Sequence, residues 1–102
     1  MDMKKMMKQA QRMQAELAKA QDEIKDMEYE ATAGGGMVKA TATGEMAITD
    51  ITIDPAAVDP EDVEMLQDMV VAAVNEALRA ASEAANARMN AVMGGMKIPG
   101  LM

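Results

Sequence analysis

The chain has 102 residues, half of them apolar, yet Tyr29 is its only aromatic residue and methionine occurs fourteen times. It contains no cysteine and no histidine, which excludes disulfides, thiolate metal sites and the commonest general acid or base. No stretch approaches the eighteen or so apolar residues of a membrane-spanning helix. We therefore expect a single soluble, cytoplasmic domain that makes no contact with a membrane.

The net charge of −7 is distributed unevenly along the chain. Residues 1–20 carry five basic against two acidic residues, whereas residues 21–68 carry two basic against thirteen acidic residues. Segregated charge of this kind predicts a polarised surface. One face can then bind an anion although the protein as a whole is acidic.

The first thirty residues carry two patterns that predict a long helix with two functional faces. One is an apolar seam at alternating spacings of three and four: Met3, Met6, Ala10, Met13, Leu17, Ala20, Ile24 and Met27. This heptad pattern predicts a helix from residue 3 to residue 31 that packs on a partner helix, with the glycines at 34–36 as its C-cap and hinge. The other is a basic face that lies off the seam: Lys4, Lys5, Lys8, Arg12 and Lys19.

The stretch 37–54 predicts a small antiparallel sheet of two strands, or of three if the second strand is split. Its first half alternates apolar and polar residues up to a hairpin turn at Gly44, and its second half is rich in β-branched residues. The apolar parity flips between Ile48 and Ile51. A bulge or a break is therefore expected between them, near Thr49-Asp50.

A second helix is predicted over residues 60–93, with Asp59 as its N-cap and Pro60 at its first position. Its apolar residues again step by threes and fours, and a lone protomer would expose more apolar surface than monomers tolerate. Residues 96–102 are expected to be a flexible tail after a single domain of residues 1–95. We expect a homodimer whose interface lies on the second helix: Leu66, Val70, Ala73, Val74, Ala77 and Ala81.

Four short motifs follow one another along the chain: Met7-Lys8-Gln9-Ala10-Gln11-Arg12-Met13-Gln14, Gly34-Gly35-Gly36-Met37-Val38-Lys39, Ile53-Asp54-Pro55 and Glu64-Met65-Leu66-Gln67-Asp68. Together they resemble the YbaB/EbfC family of bacterial nucleoid-associated proteins over essentially the whole chain. The resemblance implies an α+β fold in the order α-β-β-β-α and a tweezers-like homodimer whose sheets and second helices meet. It also implies that the projecting N-terminal helices contact double-stranded DNA of the nucleoid through the basic face, with little sequence preference.

Other interpretations have less physical support. The glycine run lacks the Lys-Ser/Thr of a P-loop and precedes a strand, so no nucleotide site is predicted. Methionines can bind Cu(I), but Met3 and Met6 already belong to the apolar seam, and neither a metal nor another cofactor is expected. No nucleophile accompanies a base, so we predict neither an enzyme nor a small-molecule substrate. The alternative that remains is a protein-interaction scaffold that docks partners through its helical seams.

Overall fold

The computed structural model describes residues 2–95 as two long helices joined by a three-stranded antiparallel sheet. Helix α1 spans Met3–Asp26 and helix α2 spans Val63–Gly95. Between them lie the strands β1 (Glu28–Ala33), β2 (Val38–Thr43) and β3 (Ile48–Ile53), in the spatial order β1-β2-β3. The predicted α+β class and the order α-β-β-β-α are confirmed.

The core lies between α2 and the face of the sheet formed by β1 and β2. Residues that pair across an antiparallel ladder share a face, and the apolar residues of β1 pair with those of β2. Alanine adds little more than a methyl group, so α2 can approach the sheet closely and the core is thin. The residues with no exposed surface are all small: Val38, Ala40, Ala42, Ala73, Ala77 and Ala81.

The first helix is shorter than predicted, because the chain after Asp26 forms a strand. Met27 ends α1 by donating its N–H to the carbonyl of Ile24 at 3.1 Å. The side chains of β1 then alternate between exposed and half-buried, but glutamate and alanine favour helices strongly enough to mask this period of two in the sequence. Pairing with β2 prevails because it half-buries Tyr29 against α2 and completes a backbone ladder. The predictions of a helix to residue 31 and of a sheet starting at residue 37 are therefore wrong.

The glycine run forms the hairpin turn between β1 and β2, so the prediction of a helix C-cap and hinge is wrong as well. Gly34, Gly35 and Gly36 have φ values of 64°, 68° and 94°. These left-handed values are easily adopted only by glycine. The third strand therefore precedes the glycines and does not come from a split of the second predicted strand.

The predicted bulge is present in the ladder between β2 and β3. Thr49 is skipped between the pairs made by Ile48 and Asp50. The extra residue keeps the side chains of Ile48, Ile51 and Ile53 on the same face as the apolar residues of β2. That part of the face is poorly covered, because α2 packs over β1 and β2, and Ile51 and Ile53 remain 40% and 37% exposed.

Helix α2 begins later than predicted. Asp62 accepts the N–H of Met65 at 3.2 Å and is the N-cap, whereas Asp59, the predicted cap, closes the preceding turn. The helix continues to Gly95, two residues beyond the predicted end. Residues 96–102, predicted to be a flexible tail, lie outside the described residues.

The molecule is elongated, with principal extents of 73 × 24 × 15 Å and a radius of gyration of 20.2 Å. A compact domain of this length has a radius of gyration near 13 Å. The last turns of α1 pack antiparallel to the end of α2, whereas Met3 and Met6 near its start are 70% and 54% exposed. The N-terminal half of α1, residues 3–14, is therefore a projecting arm. Within residues 2–95 neither helix is apolar over a length that could cross a bilayer.

Candidate nucleic-acid interface

The arm begins at a well-formed helix N-terminus. The side chain of Asp2 accepts the backbone N–H groups of Lys4 and Lys5 at 3.1 and 3.4 Å, which satisfies two of the otherwise unpaired donors of the first turn. No proline or glycine interrupts the following 24 residues. The basic side chains are consequently presented on regular, continuous helix.

The five predicted basic residues lie on one exposed face of α1. With 3.6 residues per turn, Lys4, Lys5, Lys8, Arg12 and Lys19 fall within an arc of about 100°. The face that packs against the rest of the protein lies on the other side of the helix, where Ala20 and Ile24 are buried and Met13 and Leu17 are half-buried. All five basic side chains are exposed to solvent.

The arm and the second half of α1 differ in their electrostatics. Between Met3 and Ala15 the helix carries four basic residues and no acidic residue. Among residues 2–95, none of these four basic side chains forms an ion pair. Lys19 differs, because it lies between Glu16 and Glu23, and its charge contributes to lowering the pKa of Glu23. The positive potential of the basic face is therefore concentrated on the arm.

An ion pair that the sequence did not reveal joins α1 to α2. Arg88 Nη2 donates to Glu23 Oε2 at 2.7 Å across 65 positions of sequence. This hydrogen bond is the main reason why the pKa of Glu23 lies below its ordinary value. Partial desolvation raises the pKa, whereas the charges of Arg88 and Lys19 lower it further. Only knowledge of how the two helices pack could have identified the pair.

The predicted dimer residues divide into two groups. Ala73, Ala77 and Ala81 have no exposed surface within one protomer, because they pack on its own sheet. Their assignment to a dimer interface is corrected accordingly: the small side chains permit a close approach to a sheet rather than to a second subunit. The other three residues pack at the edge of the core and are half-buried: Leu66, Val70 and Val74.

Within residues 2–95 there is no group of three or more acidic side chains arranged to hold a metal ion. Open hollows of about 300 and 330 Å³ lie where α1 meets α2. The first is lined mainly by apolar surface around Ile24, Ala85 and Met89. The second lies beside Lys19 and Arg88. The basic face is thus the surface with the clearest binding chemistry in the described part of the chain.

Comparison with known proteins gives a consistent result. The family described as the YbaB/EbfC DNA-binding family matches residues 1–96. A nucleoid-associated protein of Pelotomaculum thermopropionicum is 52% identical over 100 residues, covering 98% of this chain and 95% of the relative. A nucleoid-associated protein of Moorella thermoacetica is 54% identical over 99 residues, covering 97% of this chain and 95% of the relative.

A solved structure extends the comparison to the fold. The crystal structure of an uncharacterised protein from Helicobacter pylori superposes with a TM-score of 0.71 at 26% sequence identity, covering 95% of this chain and 99% of that one. The match includes the projecting helices as well as the sheet, since it spans nearly the whole of both chains. The family resemblance indicated by the motifs is confirmed: this chain belongs to the YbaB/EbfC DNA-binding family.

Proposed function

We propose that this protein is a nucleoid-associated protein that binds double-stranded DNA with little sequence preference, through the basic face of α1 in a homodimer. The observation that carries the proposal is the arm, which has four exposed basic residues, no acidic residue between Met3 and Ala15, and, among residues 2–95, no ion pair that neutralises its charge. Membership of a DNA-binding family and the name of the relatives support it. A cytoplasmic protein located on the nucleoid follows from this function.

The chemistry of the arm favours phosphate contacts over base recognition. Lysine presents a point charge on a flexible stem, whereas arginine supplies the planar fork that reads guanine in the major groove. Arg12 is the only arginine of α1. Contacts to phosphates position a protein on the duplex and increase its affinity without carrying sequence information. We therefore expect similar affinities for unrelated duplex sequences.

The sheet end of the molecule is unsuited to DNA. From Glu45 to Asp54 there is no basic residue, and Lys39 on β2 lies 3.9 Å from Glu30. A duplex is repelled by this acidic end and attracted by the arm, so the polarity of the molecule orients it on DNA.

A homodimer is supported by the apolar surface that α2 leaves uncovered. Ile51 and Ile53 of β3 face the core side of the sheet but are not capped by α2, and Val71 of α2 is 57% exposed. A second copy can cover such a surface and would bring two arms to one duplex. The two basic faces of a dimer carry ten basic residues, eight of them on the arms, and about half of the ten could reach phosphates together. Binding should then be micromolar and fade near physiological salt.

The test is DNA affinity measured against salt for a double variant of the arm. Lys8→Ala with Arg12→Ala removes two phosphate contacts, each of which contributes about 0.9 to the slope of log affinity against log salt. Fluorescence anisotropy with two unrelated duplexes of about 30 base pairs, between roughly 50 and 200 mM salt, should show equal weakening on both. The slope should flatten by about one or two for each engaged protomer.

The matched control removes two positive charges from outside the arm. Lys25→Ala with Lys39→Ala changes the net charge equally, but these residues lie in the last turn of α1 and on the sheet. This control should retain the wild-type slope. If the arm variant also binds with wild-type affinity and slope, the basic face is only a solvated surface. The protein is then better described as a scaffold that docks partners through its helical seams.

A further inference from the structure

The base of α1 rests against the turn between β2 and β3. The N–H of Gly44 donates to the carbonyl oxygen of Met27 at 3.1 Å, and the N–H of Met27 donates to the carbonyl oxygen of Ile24 at 3.1 Å. The turn thus holds the carbonyl of Met27, the C-cap residue of α1. This is the point at which the arm is connected to the rigid sheet.

Gly44 touches the helix so closely that any side chain at this position requires the helix or the turn to shift. A Cβ atom at this position would overlap the carbonyl oxygen of Ile24 and come within 2.6 Å of its carbonyl carbon and its Cγ2. A flexible side chain could move aside, but the backbone of a helix cannot do so without moving the helix. Ile24 is itself only 7% exposed, so it has little free space to move into.

A small movement at this contact becomes large at the tip of the arm. Met3 lies 21 residues before Ile24, which corresponds to about 31 Å of helix at 1.5 Å per residue. A tilt of about 10° at Ile24 displaces the tip by about 5 Å. The basic residues at positions 4–12 lie in the part of the helix that moves most.

The end of α1 also packs along the end of α2, where Ala20 is buried. The ion pair between Glu23 and Arg88 joins α1 to α2, but both side chains are more than 40% exposed. Exposed ion pairs contribute little to stability and yield easily. The direction of the arm is therefore set by the packing on α2 and by the backbone contact with the turn, and the contact at Gly44 is the one that an added Cβ atom would displace.

We propose that Gly44 is a positioning residue for DNA binding. Because it has no side chain, α1 can pack against the β2–β3 turn at the angle at which both arms of a homodimer reach one duplex. This inference rests on the function proposed above. If the arms point in other directions, only one arm of the dimer can bind a given duplex. The gain in affinity that two linked binding sites provide is then lost. Gly44 touches no DNA in this scheme and acts only through the direction of the helix.

The test is Gly44→Ala, with the distance between arm and sheet measured independently of DNA. Because the chain contains no cysteine, Gln9→Cys on the arm and Thr52→Cys on β3 provide the only two labelling sites for a spin-label distance measurement. We expect the mean distance to change by several ångströms, as the tilt requires. Duplex affinity should fall about tenfold and the salt slope should drop towards that of one arm.

Gly35→Ala is the matched control, since it makes the same chemical change in the other hairpin turn. Gly35 has a φ of 68°, so alanine is strained there, but nothing lies within 4 Å of the added Cβ. This control should lose stability while keeping the wild-type distance and a duplex affinity within about twofold of the wild type, because its strain acts on a turn that does not touch α1.

A second variant tests the proposal even if Gly44→Ala does not fold. Arg88→Ala removes the ion pair but leaves the contact between Gly44 and α1 unchanged. The distance between the labels at Gln9→Cys and Thr52→Cys should therefore stay at the wild-type value. The inference is overturned if Arg88→Ala changes the distance between the two labels. It is also overturned if Gly44→Ala folds and shows the same label distance and the same duplex affinity as Gly35→Ala. If wild-type protein binds no duplex while Gly44→Ala still moves the arm, the proposed function fails and the steric role of Gly44 remains.

Discussion

Glu23 lies where the acidic half of α1 meets basic residues of both helices. Its carboxylate accepts a hydrogen bond from Arg88 on α2 and lies near Lys19 on α1, and these interactions hold its pKa below the ordinary value of 4.5. A carboxyl group whose pKa is lower in the folded than in the unfolded state stabilises the fold above its unfolded pKa. That contribution is lost as the pH falls through the folded value.

We therefore expect Glu23→Gln to lower the melting temperature slightly at pH 7, and the difference from the wild type to close as the pH falls below about 4.5. The loss should be small because the pair is partly exposed to solvent. Glu28→Gln is a suitable control, since Glu28 is exposed on β1 and forms no ion pair among residues 2–95. A gap between wild type and Glu23→Gln that persists unchanged at pH 3 would show that the pair with Arg88 does not form.

At the scale of elements, α1, the β2–β3 hairpin and α2 were predictable because each carries an unambiguous local pattern. The flipped parity of the isoleucines also predicted an irregularity near Thr49-Asp50, where the structure has a bulge at Thr49. Strand β1 was not predictable in this way, because its glutamates and alanines suit a helix and extend the heptad pattern of α1. Only its ladder with β2, which is a tertiary interaction, decides its conformation.

The features of the candidate site also divide into those that follow from local sequence spacing and those that depend on tertiary packing. The basic face could be derived from spacing, since its residues lie on one regular helix. Two contacts could not be derived from the sequence: the ion pair between Glu23 and Arg88, and the contact of Gly44 with α1. Both depend on how α1 packs against elements that are distant in sequence. Ala73, Ala77 and Ala81 were assigned to a dimer interface and not to the sheet, since an apolar pattern on a helix does not specify what the helix packs against.

The packing of α2 on its own sheet makes Ala77 intolerant of larger side chains. Ala77→Leu adds several heavy atoms to a site with no exposed surface, and overpacking of this kind costs about 1–3 kcal/mol. Ala72→Leu places the same side chain on the exposed side of the same helix and should change stability by less than about 0.5 kcal/mol. Urea denaturation of both variants provides the comparison. Equal stabilities would indicate that α2 does not pack on the sheet as described.

At the scale of the whole molecule, charge and apolar surface are separated. The arm is basic, the sheet end is acidic, and the uncovered apolar side chains of β3 lie beside α2. The three surfaces suit three different neighbours: DNA phosphates, solvent and a second copy of the chain. An elongated shape of 73 Å keeps the first and third of these surfaces apart, so that DNA binding and self-association need not compete.

Self-association through β3 can be tested at two neighbouring residues of the strand. Ile51 is 40% exposed on the face of β3 that α2 leaves uncovered, whereas Thr52 points to the opposite, polar face. If a second copy covers the apolar face, Ile51→Lys must bury an unpaired charge in the interface and should shift the protein from dimer to monomer at micromolar concentration. Thr52→Lys introduces the same charge one residue away and should remain dimeric. Sedimentation velocity distinguishes the two, and duplex affinity should fall only for Ile51→Lys because a monomer has a single arm. A wild-type protein that sediments as a folded monomer would remove the homodimer from the proposed mechanism and leave one arm to bind DNA alone.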